Sequence, residues 1–240
     1  MSSSRRAEIA ANLGAVRERI ATACAAGGRD ADEVTLVVVT KFFPASDVRL
    51  LAELGVTHVG ENRHQEAEAK HRECADLRRP GGPDLRWHFV GGLQSNKAAA
   101  VAAYADVVHS VDRAKLVARL DAGAHDRSHP IDVLLQVSLD PPDRAGRAGA
   151  DPADLPALAE LVEAAGVLRL RGLMAVAPLD EDPAQAFARL SDVRRDFLVD
   201  HPSADWLSAG MSGDLEAAIH AGATHVRVGT AVLGSRPSVQ

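Results

Sequence analysis

Cysteine is scarce in this chain: Cys24 and Cys74 are the only two thiols in 240 residues, far apart and outside any CxxC pattern. That excludes a disulfide framework and the usual spacing of a structural zinc site, and it fits a reducing compartment. Aromatic residues make up 3% of the chain and the formal net charge is −6. The stacking platforms and basic stripe of a nucleic-acid binder are therefore missing. No apolar run approaches the length of a membrane span. The N-terminal stretch MSSSRRAEIAANLGAVRERIATACAAGG places apolar and charged residues at helical spacing, without the continuous apolar core of a secretion signal. A cytoplasmic protein with neither nucleic acid nor membrane as partner is expected.

What remains is ample for a core, with 46% hydrophobic and 25% charged residues. After the N-terminal helix, strand-like runs begin at Thr35, Thr57, Arg86, Asp106, Ile131, Leu170, Asp205 and Thr224. Between them lie alanine-rich segments of helical period, several opening at a capping residue or proline and closing at glycine. Eight such units predict an α/β fold, a single (β/α)8 TIM barrel with an extra N-terminal helix, filling residues 1–240 as one domain. A doubly wound open sheet would also alternate, but it usually carries a glycine-rich turn after its first strand, where this chain has Lys41. The proline- and glycine-rich stretches 78–84 and 140–154 read as loops rather than linkers, since the alternation continues on both sides.

The run VTLVVVTKFFP, residues 34–44, reads as a strand buried on both faces that ends in a lysine. Lys41 either reaches water by its long stem or stands at the barrel rim where such folds do their chemistry. The last two units, LSAGMSGDLEAAIHAGATHVRVGTAVLGSR (207–236), each end a strand in a glycine turn. Loops after strands seven and eight of a barrel frequently bind phosphate, which makes Gly210, Met211, Ser212, Gly229 and Thr230 candidate ligands. In the plainer reading the glycines only turn the chain and Ser212 caps a helix. Closing the barrel sets strand one beside strand eight, so a lysine amine and a phosphate site become neighbours. A desolvated amine can condense with an aldehyde, and pyridoxal 5′-phosphate (PLP) carries both an aldehyde and a phosphate.

The segments VVVTKFFP, HVGENRHQEAEAKH, WHFVGGLQSNK, LRGLMAVAP and the 207–236 stretch occur in this order along the chain. Together they resemble the YggS/PROSC family of pyridoxal phosphate homeostasis proteins, whose fold is that of the alanine racemase barrel domain. The resemblance implies that Lys41 holds PLP as a Schiff base and that Ser212, the backbone around Met211, Gly229 and Thr230 take the phosphate. It further implies that Asn62 lies beside the ring and that Arg227 meets the pyridine nitrogen. Around the lysine the family more often reads VSKTKP. Here Thr40 stands for the serine, and Phe42 and Phe43 make the rim more apolar.

His88 and Asn96 follow strand three and could touch the cofactor's edge, although His88 reads equally as a core histidine. Asp214 reads as a helix cap and Met174 as core near the cavity floor. His64 and His71 share a helical face, yet no pattern completes a metal site, and none is expected. A racemase needs a base on each face of the substrate. In alanine racemase the second is a tyrosine of a C-terminal domain that this chain lacks. Its one tyrosine, Tyr104, reads as lying outside the barrel. The resemblance therefore implies an intracellular PLP carrier without catalytic residues or established turnover, monomeric, with PLP-dependent apoenzymes as recipients. A racemase-like PLP enzyme and a Schiff-base aldolase acting on a sugar phosphate are the alternatives.

Overall fold

The computed structural model describes residues 2–78, 84–140 and 149–235. Eight strands, β1 (Thr35–Val39), β2 (His58–Glu61), β3 (Arg86–Phe89), β4 (Val107–Val111), β5 (Ile131–Gln136), β6 (Leu168–Met174), β7 (Trp206–Ser208) and β8 (His225–Val228), form a closed parallel barrel in sequence order. Closure runs through β1 and β8, with Thr35 opposite His225 and Val38 opposite Val228. A closed sheet rules out the open doubly wound alternative. The stretches 78–84 and 140–154 read as loops fall largely outside the described residues, and so does Arg236.

Around the barrel stand α2 (Ala45–Glu53), α3 (His64–Glu73), α4 (Ala98–Ala102), α5 (Ala114–Gly123), α6 (Leu155–Glu163), α7 (Pro183–Asp200), α8 (Leu215–His220) and the short α9 (Thr230–Leu233). Local sequence explains their starts. Pro183 opens α7 with a preset φ and no N–H to satisfy, while the Asp182 carboxylate accepts from the Ala184 N–H at 3.1 Å. The alanine-rich run 95–105 yields a shorter helix than its composition suggests, because only Ala98–Ala102 is helical.

The additional helix α1 (Ser2–Ala26) packs on α8, α9 and α2. Ile9, Leu13, Val16 and Ile20 form one face of it and are buried with Leu51, Leu215, Ile219 and Leu233. Each such side chain contributes roughly 1.5–3 kcal/mol by leaving water. Polar contacts fix its register: Arg5 reaches Asp47 at 2.7 Å and the Leu233 carbonyl at 2.9 Å, and Arg19 reaches Glu216 at 2.7 Å and the Ser212 carbonyl at 3.1 Å. A second apolar layer joins α5, α6 and α7 to the outer faces of β4–β7.

Strand alternation sends the other face inward. On β8, Val226 and Val228 belong to the outer layer, while His225 and Arg227 are buried on the opposite face. With His88, His109 and Ser208 they make much of the barrel interior polar. Val107, Leu134 and Met174 form a small apolar cluster of their own. Among the described residues no helix is long and apolar enough to cross a membrane.

Candidate functional site

A cavity of about 330 Å³ opens at the C-terminal mouth of the barrel. Lys41, Asn62, Met211, Ser212, Arg227, Gly229 and Thr230 all line it, with Phe42, Phe43 and Val176 among the apolar neighbours. The seven residues that the resemblance assigns to the cofactor thus meet in one place, whereas Gly210, the remaining phosphate candidate, is not in the lining. Strand pairing explains this: Val37 on β1 lies opposite Arg227 on β8, so the turns after the two strands are adjacent.

On the β1–β2 side the lysine is half-buried, and the turn that carries it is held by charge. Thr40 donates its hydroxyl to Glu61 Oε1 at 2.6 Å. The Lys70 ammonium donates to the Thr40 carbonyl at 2.7 Å, to Glu61 Oε1 at 2.7 Å and to Glu66 Oε1 at 2.6 Å. Glu66 in turn accepts the Phe42 N–H at 2.5 Å. Phe42 has φ 70°, the left-handed region that a bulky side chain rarely adopts. Burial pushes the Glu61 carboxyl above its ordinary value, against the pull of Lys70 and Thr40. Just past the end of β2, Asn62 is braced from behind by Gly91, where an added Cβ would stand 2.5 Å from the Asn62 carbonyl oxygen. Asn62 Oδ1 is buried and has no protein partner.

The β7–β8 side uses main chain and hydroxyls. Gly210 turns the chain at φ 91°, and any Cβ there would lie 2.7 Å from Ala218 Cβ. Ser212 Oγ lies 3.2 Å from Thr230 Oγ1 and accepts the Ala231 N–H at 3.4 Å. Arg227 is 5% exposed and lines the cavity. It donates through Nη1 to Ser208 Oγ at 2.7 Å and through Nη2 to the Ala175 carbonyl at 2.9 Å. Burial lowers its pKa to about 10, so it stays charged at neutral pH.

Several expectations change. Asp214 occupies the N-cap position of α8, but its carboxylate does not cap that helix; it turns back to accept the Met211 N–H at 2.5 Å. Met211 therefore offers the cavity its side chain while its N–H is engaged. His88 lies inside the barrel, bonded to His58 and His109, and does not line the cavity. Asn96 is exposed and also outside the lining. Met174 is core as expected, and Val176, two residues on, lines the cavity. Tyr104 packs against His64 and His71 of α3 and lines a different cavity. Among the described residues no three His, Cys, Asp or Glu side chains gather as metal ligands.

Sequence reasoning missed Glu61, Glu66 and Lys70, although Glu66 and Lys70 stand four apart on α3 at ion-pair spacing. It also missed Ser208, whose signal was its position two residues before Gly210 on an inward-facing alternation.

The family model described as alanine racemase, N-terminal domain, matches residues 7–237. The pyridoxal phosphate homeostasis protein of Pseudomonas aeruginosa is 47% identical over 231 residues, covering 95% of this chain and 96% of that protein. Its counterpart in Mycobacterium tuberculosis is 43% identical over 245 aligned positions, covering 97% and 94%. The chain belongs to the pyridoxal phosphate homeostasis protein family. Among solved structures similar to this family member, PipY of Synechococcus elongatus, with PLP bound, has a TM-score of 0.79 at 37% identity, covering 94% of this chain and 100% of that one. Alanine racemase of Clostridium difficile, with a TM-score of 0.70 at 14% identity, covers 96% of this chain and 57% of that one, and shares the fold alone.

The side chains of this member fit the group that its family name implies. Lys41 brings an amine, Arg227 a fixed cation, and Ser212 with Thr230 a pair of hydroxyls. The unpartnered Asn62 Oδ1 calls for a donor from a ligand or water.

Proposed function

We propose that this chain binds PLP in the C-terminal cavity as one cofactor domain over residues 1–240, and serves PLP homeostasis in the cytoplasm without catalytic turnover. The observation that carries the reading is the convergence of Lys41, Arg227, Ser212 and Thr230 on one cavity, in a chain so similar to homeostasis proteins. Lys41 would hold the aldehyde carbon through its ε-amine. Ser212 and Thr230 would take the phosphate, with Gly229 and Met211 shaping its seat, and Asn62 would stand beside the ring. Arg227 would face the ring nitrogen. When bound, PLP supplies an electrophilic aldehyde and a ring that withdraws electrons from amines attached to it. An arginine can only donate, so Arg227 leaves the nitrogen unprotonated and that withdrawal weak.

Turnover needs a second base, and the lining supports none. Apart from Lys41, the described residues of the cavity include no carboxylate, imidazole or phenol. Tyr104 is bound up with α3, and burial pushes its phenol well above the ordinary tyrosine value. The chain would act as a monomer that hands PLP to apoenzymes.

Borohydride reduction of the PLP-loaded protein followed by peptide mapping tests this directly. The adduct is expected on Lys41 and is expected to vanish in Lys41→Ala; an unchanged adduct on another lysine would refute the assignment. In a parallel arm, L-alanine in deuterated water should show slow α-exchange without inversion. Racemisation on the order of 1–1000 per second would mark an enzyme instead.

A further inference from the structure

Three imidazoles run in single file through the barrel interior. His58 Nδ1 lies 2.8 Å from His88 Nε2, His88 Nδ1 lies 2.8 Å from His109 Nε2, and His109 Nδ1 lies 2.9 Å from Ser208 Oγ. Ser208 Oγ also accepts from Arg227 Nη1 at 2.7 Å. Five strands, β2, β3, β4, β7 and β8, contribute one residue each. His88, His109 and Ser208 are at most 1% exposed. The two ends open into different cavities: Arg227 lines the one holding Lys41, whereas His58 lines a separate cavity of about 670 Å³ together with Thr35 and Arg86, the first residues of β1 and β3, and Thr224, just before β8.

The polarity of the file follows from donor and acceptor inventory. An arginine only donates, so Ser208 Oγ accepts from it and has one proton to give. Among the described residues His109 Nδ1 is the one acceptor it meets. His109 must then carry its proton on Nε2 and donate to His88 Nδ1. His88 by the same logic carries its proton on Nε2 and donates to His58 Nδ1. His58 is left with an Nε2–H at the far end. The opposite polarity would strand the fully buried Ser208 hydroxyl without an acceptor.

We propose that Ser208, His109, His88 and His58 are positioning residues for Arg227, forming a polarised hydrogen-bond file that fixes the guanidinium at the cavity holding Lys41. Every ring lone pair in the file is already engaged, so no imidazole takes a proton without breaking a bond in it. Burial in company with cations acts in the same direction. It holds His88 and His109 well below the ordinary histidine value and lowers His58 to about 4. The cations facing the rings are Arg86 of β3 and Arg227 of β8, with Arg171 of β6 acting on the neighbouring His225, itself buried and lowered to about 3 and so neutral. Asp84 and Asp106 are the carboxylates acting on His58. Around the His58 cavity, Arg29 and Arg194 stand with Glu33 and Asp205. The file therefore stays neutral and aligned at physiological pH, and strong acid breaks it as a unit.

The file itself stands on the protein's own hydrogen bonds; its link to PLP rests on the proposed function. Nitrogen-15 histidine NMR of the cofactor-free protein at pH 7 tests the first. Three neutral rings with protons on Nε2 are expected for His58, His88 and His109; an Nδ1–H tautomer or a charged ring in the file would overturn it. For the second, PLP is titrated into Ser208→Ala and Ser208→Thr and followed by absorbance across pH. Ser208→Ala should shift the pH profile of the bound chromophore and weaken PLP roughly tenfold, about the worth of one hydrogen bond to a charged group. Ser208→Thr, which keeps the hydroxyl, should restore both. A wild-type profile in Ser208→Ala would overturn the positioning role. A wild-type protein with the three expected tautomers that binds no PLP would sink the proposed function while leaving the file in place.

Discussion

Across the mouth of the barrel, the β1–β2 side holds its shape with buried charges, Lys70 set between Glu61 and Glu66, whereas the β7–β8 side uses glycine turns, hydroxyls and main chain. The difference follows from what each must do. Lys41 sits on a turn whose Phe42 is in a strained conformation, and such a turn persists only where its surroundings over-determine it. Lys70 and Glu66 do so by seizing the Thr40 carbonyl and the Phe42 N–H. In the proposed function the opposite side receives an anion, and rotatable hydroxyls on glycine-rich turns would adapt to one without a fixed charge of their own. One side is therefore sensitive to deletion of a charge in the protein, the other to deletion of a charge on the ligand.

The largest expected effect comes from breaking the buried charges. Lys70→Met leaves Glu61, 1% exposed, without its cation. Removing one partner of a buried pair costs about 3–5 kcal/mol, more than the pair itself contributes. Urea unfolding of the cofactor-free protein should show a loss of that size, largely recovered in the double variant Glu61→Gln, Lys70→Met. A single variant within about 1 kcal/mol of wild type would mean that the charges do not hold this side.

A smaller effect is expected opposite. Ser212→Ala should leave unfolding unchanged but weaken PLP by about 1.5–3 kcal/mol, the usual range for a hydrogen bond to a charged group. Phosphate-free pyridoxal, weaker from the outset, should be indifferent to the substitution. Equal losses for both ligands in a calorimetric titration would place Ser212 away from the phosphate.

The same contrast explains what the sequence made legible. Barrel order, the N-terminal helix and the nearness of Lys41 to Ser212 were readable because they follow from strand alternation, glycine turns and the adjacency of β1 with β8, while Arg227 came with the family resemblance. The β7–β8 side carries its signals locally, in SAGMSG and RVGT. The β1–β2 side does not: Thr40, Glu61 and Lys70 are 21 and 9 residues apart in sequence, and nothing in the pattern says that the helix after β2 turns a lysine back toward the rim. Asp214 misled for a related reason. An aspartate opening a helix reads as a cap, and only the fold reveals that the Met211 N–H is nearer. The histidine file was hidden because each ring alone reads as an ordinary core residue. Its meaning lies in the order of five strands.

The smallest effect sharpens the comparison most, since it asks whether the strained turn is held by Glu66 or by the Phe42 ring. Phe42→Gly removes a left-handed conformation that costs a non-glycine residue about 1–2 kcal/mol. Against that, glycine loses about 0.5–1 kcal/mol in backbone entropy. The Arg63 guanidinium, 5.0 Å from the ring centroid, forfeits a cation–π contact worth about 0.5–1 kcal/mol. The Glu66 bond goes to the backbone N–H and survives the substitution. These contributions nearly cancel, so thermal unfolding should move by less than the equivalent of about 1 kcal/mol, and Lys41 should still be trapped by borohydride. A loss above about 2 kcal/mol would show that ring packing holds the turn, and the charged network would then be a support for β2 rather than for the lysine.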